Sequence, residues 1–133
     1  HQYLYIRNYE TGRWPNGTPN WQKAAIKDAW DGDTDNGPTK SYLIEKKDDS
    51  PEYQRFYDLS FAKRPAEELF DLKTDPDQLN NIAAEKPELL KKYQTLLVTE
   101  LSKSEDPRNG GPAFDFDAQP YGGGSPKFPK NRR

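Results

Sequence analysis

Apolar and polar positions alternate in two short segments of this chain, and each alternation predicts a β-strand. In Tyr3–Asn8, Tyr, Tyr and Arg at the odd positions alternate with Leu, Ile and Asn at the even positions. The segment therefore has one aromatic-polar face and one apolar face. In Glu67–Leu72, Leu69 faces one side while Phe70 and Leu72 face the other, so we expect both faces to be covered.

The clearest helical pattern lies near the end of the chain. Pro87 opens it, and Leu and Tyr then recur at spacings of three, four and seven residues up to Leu101. The pattern predicts a helix from Pro87 to about Lys103 that lies across one face of a small sheet. Its central anchors are expected to be Leu90, Tyr93 and Leu97, with Gln94 and the charged residues largely on the other face.

Three shorter helices are predicted between the two strands, each opened by a Pro. Thr18-Pro19 precedes a stripe that includes Trp21 and Trp30; Gly37-Pro38 and Ser50-Pro51 open the other two. Pro65 ends the last of them. Thr74–Asp77, which contains Pro76, predicts a turn after the second strand. These elements place one domain at residues 1–108 and a Gly/Pro-rich tail at 109–133, whose aromatic rings are expected to lie along a surface.

Composition limits the size of the core and excludes several functions. Hydrophobic residues make up 32% of the 133 residues and charged residues another 32%, although 13% are aromatic. Such a domain has a small interior, and we expect another polypeptide to complete part of it. A net charge of -2 with interspersed signs favours neither nucleic acid nor an anionic membrane as a partner. No apolar run approaches membrane-spanning length.

The chain contains no Cys and no Met, even at its first position. Disulfides and thiolate metal sites are therefore impossible. We expect the chain to be a fragment or a processed product. Its sequence therefore leaves the cellular location of the parent protein open.

The candidate chemistry along the chain is sparse. Asp31–Gly37 starts like a calcium loop, with carboxylates at alternate positions, but Tyr42 stands where such a loop needs a bidentate Glu. An acidic turn after a helix explains it as well. His1 is the single His, and no Ser lies in a nucleophile-elbow pattern. Asn16-Gly17-Thr18 matches the glycosylation sequon.

Two of these segments together resemble the C-terminal subdomain of the sulfatases, in the alkaline phosphatase superfamily. Glu67–Ala83, EELFDLKTDPDQLNNIA, is similar to the family's strand ending "ELYDL" and its "DPxExxN" turn, which precede the last helix. Tyr3–Asn8, YLYIRN, looks like the "RYKYIRN" strand that usually comes before them. The long insert between the strands and Asp106-Pro107 after the helix are most similar to the heparan N-sulfatase-like branch.

The resemblance implies an α+β fold: a small antiparallel sheet packed by the C-terminal helix, with inserted short helices. In sulfatases the hairpin mate of the "YIRN" strand comes just before it, so here that mate would lie outside the chain. The resemblance also implies that the family's formylglycine and calcium belong to the catalytic domain, because the motifs that supply them are missing here. The partners would be that domain and a sulfated glycan, and the parent would be exported to the periplasm or the extracellular space.

Substrate contacts are expected in the loop after the first strand. In sulfatases this loop lies close to the substrate, and here it holds Asn8, Arg13 and Trp14. A guanidinium suits an anionic sulfate, and an aromatic face stacks on a pyranose ring. A surface loop with a chance Arg-Trp pair explains the same residues. The alternative function is a stand-alone carbohydrate- or protein-binding module, in which Trp14, Trp21 and Trp30 are the candidate contacts.

Overall fold

The structure is a computed structural model that describes residues 2–20 and 31–109. It contains two strands, β1 (Tyr3–Arg7) and β2 (Glu67–Asp71), and three helices: α1 (Pro38–Lys46), α2 (Pro51–Phe61) and α3 (Pro87–Lys103). The predicted α+β class is confirmed. The chain forms two compact units, and the described residues of the first are 2–9 and 65–109, those of the second 10–20 and 31–64.

In the first unit β1 and β2 pair with each other in an antiparallel sheet. Tyr5 lies opposite Leu69, and the ladder is closed at its two ends by the Leu72 amide on the Gln2 carbonyl and the Asn8 amide on the Ala66 carbonyl, each at 2.8 Å. One partner of β1 is therefore inside this chain, and the small antiparallel sheet is present as predicted. A further hairpin mate preceding β1 stays a prediction. Burial agrees with two covered faces, because Leu69 is 0% exposed on one side and Phe70 5% on the other.

Helix α3 lies against the aromatic-polar face of β1 rather than its apolar face. The rings of Tyr93 and Tyr3 are 6.0 Å apart, and the Gln94 amide nitrogen donates to both Glu67 carboxylate oxygens at 2.7 and 2.8 Å. Gln94 was expected on the outer face, so that prediction was wrong. Leu90, Tyr93 and Leu97 are half-buried, while Leu101 is buried.

The predicted turn after β2 is present and is organised by two Asp side chains. Asp71 accepts from the Lys73 amide, and Asp75 accepts from the amides of Leu79 and Asn80 at 3.0 and 2.9 Å. These are local side-chain-to-backbone bonds of the kind that favour Asp in turns. The turn redirects the chain so that Asn81 and Ile82 run beside β2.

The second unit contains the α1–α2 pair and the loops around it. Ser50 caps α2 by accepting from the Tyr53 amide, and Arg64 donates to the Leu59 carbonyl at the other end of the helix. The hydroxyls of Tyr42 and Tyr53 are 3.0 Å apart, which joins the two helices. Two of the predictions lie outside the described residues: the helix containing Trp21 and Trp30, and the tail beyond residue 109.

Candidate functional site

The structure gives each of the three residues expected to contact substrate a set of protein partners. The side-chain amide nitrogen (Nδ2) of Asn8 donates to the Pro65 carbonyl at 2.7 Å and to a Glu68 carboxylate oxygen at 2.8 Å. Glu68 is only 9% exposed and lies on the apolar face of the sheet, so a buried carboxylate needs this donor. Asn8 thus holds the end of β1 against β2.

Arg13 and Trp14 belong to the second unit. Arg13 lies 3.5 Å from Glu10, and both side chains are 49% exposed. Trp14 is half-buried, and the Lys63 ammonium sits 5.3 Å from the centre of its ring, within the range of a cation–π contact. Asn8, by contrast, belongs to the first unit. Whether any of them contacts a glycan stays a prediction.

The loop that follows Trp14 is held by side-chain and backbone bonds within the second unit. Asn16 donates through its amide nitrogen to the Ser60 carbonyl at 2.7 Å. The amides of Asp31 and Asp33 donate to the carbonyls of Thr18 and Asn16 at 2.9 and 3.0 Å. The nitrogen that would carry a sugar at the sequon is therefore engaged with α2.

The acidic segment considered as a calcium loop binds a lysine side chain instead. The Lys40 ammonium donates to the carbonyls of Asp31 and Thr34 at 2.8 Å each and to the Asn36 side-chain oxygen at 3.3 Å. Asp31 itself is 1% exposed, and neither of its carboxylate oxygens has a hydrogen-bond partner. Burial raises the pKa of the Asp31 carboxyl, while the nearby positive charge of Lys40 opposes this shift.

A second polar network ties the sheet to α3 in the first unit. The Tyr5 hydroxyl donates to a Glu67 carboxylate oxygen at 2.7 Å, and this is one of the two Glu67 oxygens to which Gln94 donates. Burial, and then the bond to Glu67, raise the pKa of the Tyr5 hydroxyl, so this group remains a donor at physiological pH. The arrangement fixes the helix on the strands; with its donors committed to one carboxylate, it is built for structure rather than for proton transfer.

Sequence reasoning missed Lys40 and Asn81. Asn81 stood inside the turn motif, which was a usable signal. Lys40 carried none, because a Lys in a helix is ordinarily a solvated residue. Within residues 2–20 and 31–109 no group of three or more His, Cys, Asp or Glu side chains could hold a metal ion. The same residues include no helix that is both long and apolar enough to cross a membrane.

Comparison of the chain with protein-family models, with curated proteins and with solved structures finds no match.

Proposed function

We propose that this chain is the non-catalytic C-terminal part of a sulfatase that hydrolyses sulfate esters or sulfamates of sulfated glycans. One observation carries the proposal: the two segments on which the sulfatase resemblance depends, YLYIR and EELFD, pair with each other in antiparallel register. The Asp75 turn and α3 then follow β2 in the order that the resemblance implies. Strands 60 or more positions apart along the chain thus come together as one element.

Under this proposal the chemistry resides in the catalytic domain. The chain lacks the Cys-x-Pro/Ser-x-Arg motif in which the family's Cys becomes formylglycine. Its described residues also do not include a metal-binding cluster, so the family's calcium does not fit here. These residues therefore take no part in a catalytic step under this proposal. Their role is to complete the fold of the enzyme and to supply part of the rim of the substrate pocket.

The reading frame upstream of His1 in the parent gene provides the first test. We expect a Cys-x-Pro/Ser-x-Arg motif far upstream, in frame with this chain. Its absence would contradict the proposal and favour a stand-alone binding module.

Activity measurements provide the second test. The purified chain should not hydrolyse a chromogenic aryl sulfate, whereas the intact parent should. Turnover by the chain itself, persisting after contaminants are removed, would also overturn the assignment.

A further inference from the structure

Lys40 is placed where a lysine is electrostatically unfavourable unless something compensates it. It is the third residue of α1, in the first turn, where the helix dipole favours negative charge. It is also only 7% exposed. A buried ammonium needs oxygen partners for its three N–H donors.

The loop before α1 provides one acceptor for each donor. Two are backbone carbonyls, those of Asp31 and Thr34, and the third is the Asn36 side-chain oxygen. All three acceptors belong to the segment 31–36, so a single loop coordinates the ammonium with its oxygens. The Asp31 carboxyl, buried and without a hydrogen-bond partner, lies in the same segment.

The loop in turn positions its neighbour. Its Asp31 and Asp33 amides donate to the carbonyls of Thr18 and Asn16, and a Cβ at Gly17 would be in ordinary van der Waals contact with the Gly32 nitrogen, at 3.4 Å. Gly17 also has φ +90°, a conformation that glycine adopts without strain. The contacts of the Lys40 ammonium are therefore linked through loop 31–36 to loop 14–18.

We propose that the segment 31–36 is a cation-binding loop whose permanent occupant is the Lys40 ammonium, and that a variant without this side chain will bind a soluble alkylammonium ion in its place. A calcium ion needs six to eight oxygens and would lie beside an existing positive charge. The tethered ammonium needs three acceptors, and the loop provides three. An open depression beside Lys40, lined by Asn36, Ser41, Ile44 and Glu45, gives the soluble ion a way in.

Chemical rescue of Lys40→Ala tests the proposal. The substitution removes a three-carbon chain and the ammonium, which propylammonium matches in length and charge. We expect the variant to melt several degrees below the unsubstituted chain. Propylammonium should restore its melting temperature in a saturable way. Equal concentrations of 1-propanol should not restore it. Lys46→Ala, which removes an exposed lysine paired with Asp49, is the matched control and should not respond to propylammonium.

Hydrogen exchange gives a second readout at the loop itself. The Asp31 and Thr34 amides, bonded to the carbonyls of Thr18 and Asp31, should exchange faster in Lys40→Ala and slow again with propylammonium. If the variant does not fold in plain buffer, refolding in propylammonium against 1-propanol makes the same comparison. Equal recovery with the alcohol, no recovery with the cation, or a calcium-dependent rise in the melting temperature of the unsubstituted chain would each overturn the proposal.

Discussion

Asp31 combines two unfavourable features at one position. Its backbone has φ +44°, in the left-handed region that Asp and Asn tolerate better than other residues with a side chain. Its carboxylate is buried with neither oxygen hydrogen-bonded. The ionised form is therefore disfavoured in the folded chain, which is the physical cause of the raised pKa.

Stability of the second unit should depend on pH through Asp31. Because its pKa is raised on folding, the folded state binds this proton more tightly than the unfolded state does. The stabilisation is fully present below the unfolded pKa, about 3.9, and is lost as pH rises through the folded value. Asp31→Asn keeps the backbone preference and removes the titration. We expect the free energy of unfolding of Asp31→Asn to increase relative to that of the unsubstituted chain as pH rises above about 4.

Urea unfolding followed by tryptophan fluorescence measures this difference, since Trp14 belongs to the second unit. Asp33→Asn is the control: Asp33 is exposed in the same loop. If the difference in the free energy of unfolding between Asp31→Asn and the unsubstituted chain stays constant across the pH range, the pKa of the Asp31 carboxyl does not change on folding.

At the scale of elements, residues that follow the turn cover the edge of β2 that faces away from β1. On β2, Asn81 accepts from the Leu69 amide at 2.9 Å and donates to the Glu67 carbonyl at 3.1 Å, while the Ile82 amide donates to the Leu69 carbonyl. The Asn81 side chain and the Ile82 amide thus make the hydrogen bonds to β2 that a third strand would make. The motif residue Asn81 is therefore structural, and it closes an edge that would otherwise expose unpaired backbone groups.

Asn81→Ala should destabilise the first unit. The substitution leaves the amide of Leu69, a residue 0% exposed, without its acceptor, and such a loss costs about 1–3 kcal/mol. Asn80→Ala is a matched control, because Asn80 is exposed and contributes its backbone amide rather than its side chain to the turn. We expect it to change the free energy of unfolding by less than about 0.5 kcal/mol. Hydrogen exchange at the Leu69 amide measures the local effect, and equal exchange in both variants would refute the role of Asn81.

The strands and helices were largely predictable because their signals are local. Pro87 opens α3 and Lys103 ends it, as the spacing of its apolar residues indicated, and Ser50 caps α2. A small antiparallel sheet was predicted, but the sequence did not identify β2 as the partner of β1, since nothing local specifies a partner 60 or more residues away. The role of Lys40 was equally hidden: its acceptors are mostly backbone carbonyls, whose positions depend on the folded loop.

At the scale of the whole molecule, the insert between the strands forms a unit of its own. Residues 10–20 and 31–64 supply α1, α2 and the loops around them, whereas β1, β2 and α3 belong to the other unit. A division of this kind allows the sheet and helix to be kept while the inserted unit varies. If the sulfatase proposal is correct, specificity for a particular glycan belongs in the inserted unit, which carries Arg13 and Trp14.

Arg13→Ala in the intact parent enzyme tests where the glycan is recognised. The Arg13–Glu10 pair is half exposed, and an exposed pair of this kind contributes about 0–1 kcal/mol, so folding should be little affected. A guanidinium at the rim would contact an extended sulfated glycan but not a small aryl sulfate. We therefore expect the substitution to raise KM for the glycan more than for the aryl sulfate, with kcat for the aryl sulfate unchanged. Arg55→Ala, at an exposed arginine of α2, controls for the loss of one positive charge from the same unit. If both substrates respond equally to Arg13→Ala, or if Arg55→Ala has the same effect, Arg13 is not a glycan contact.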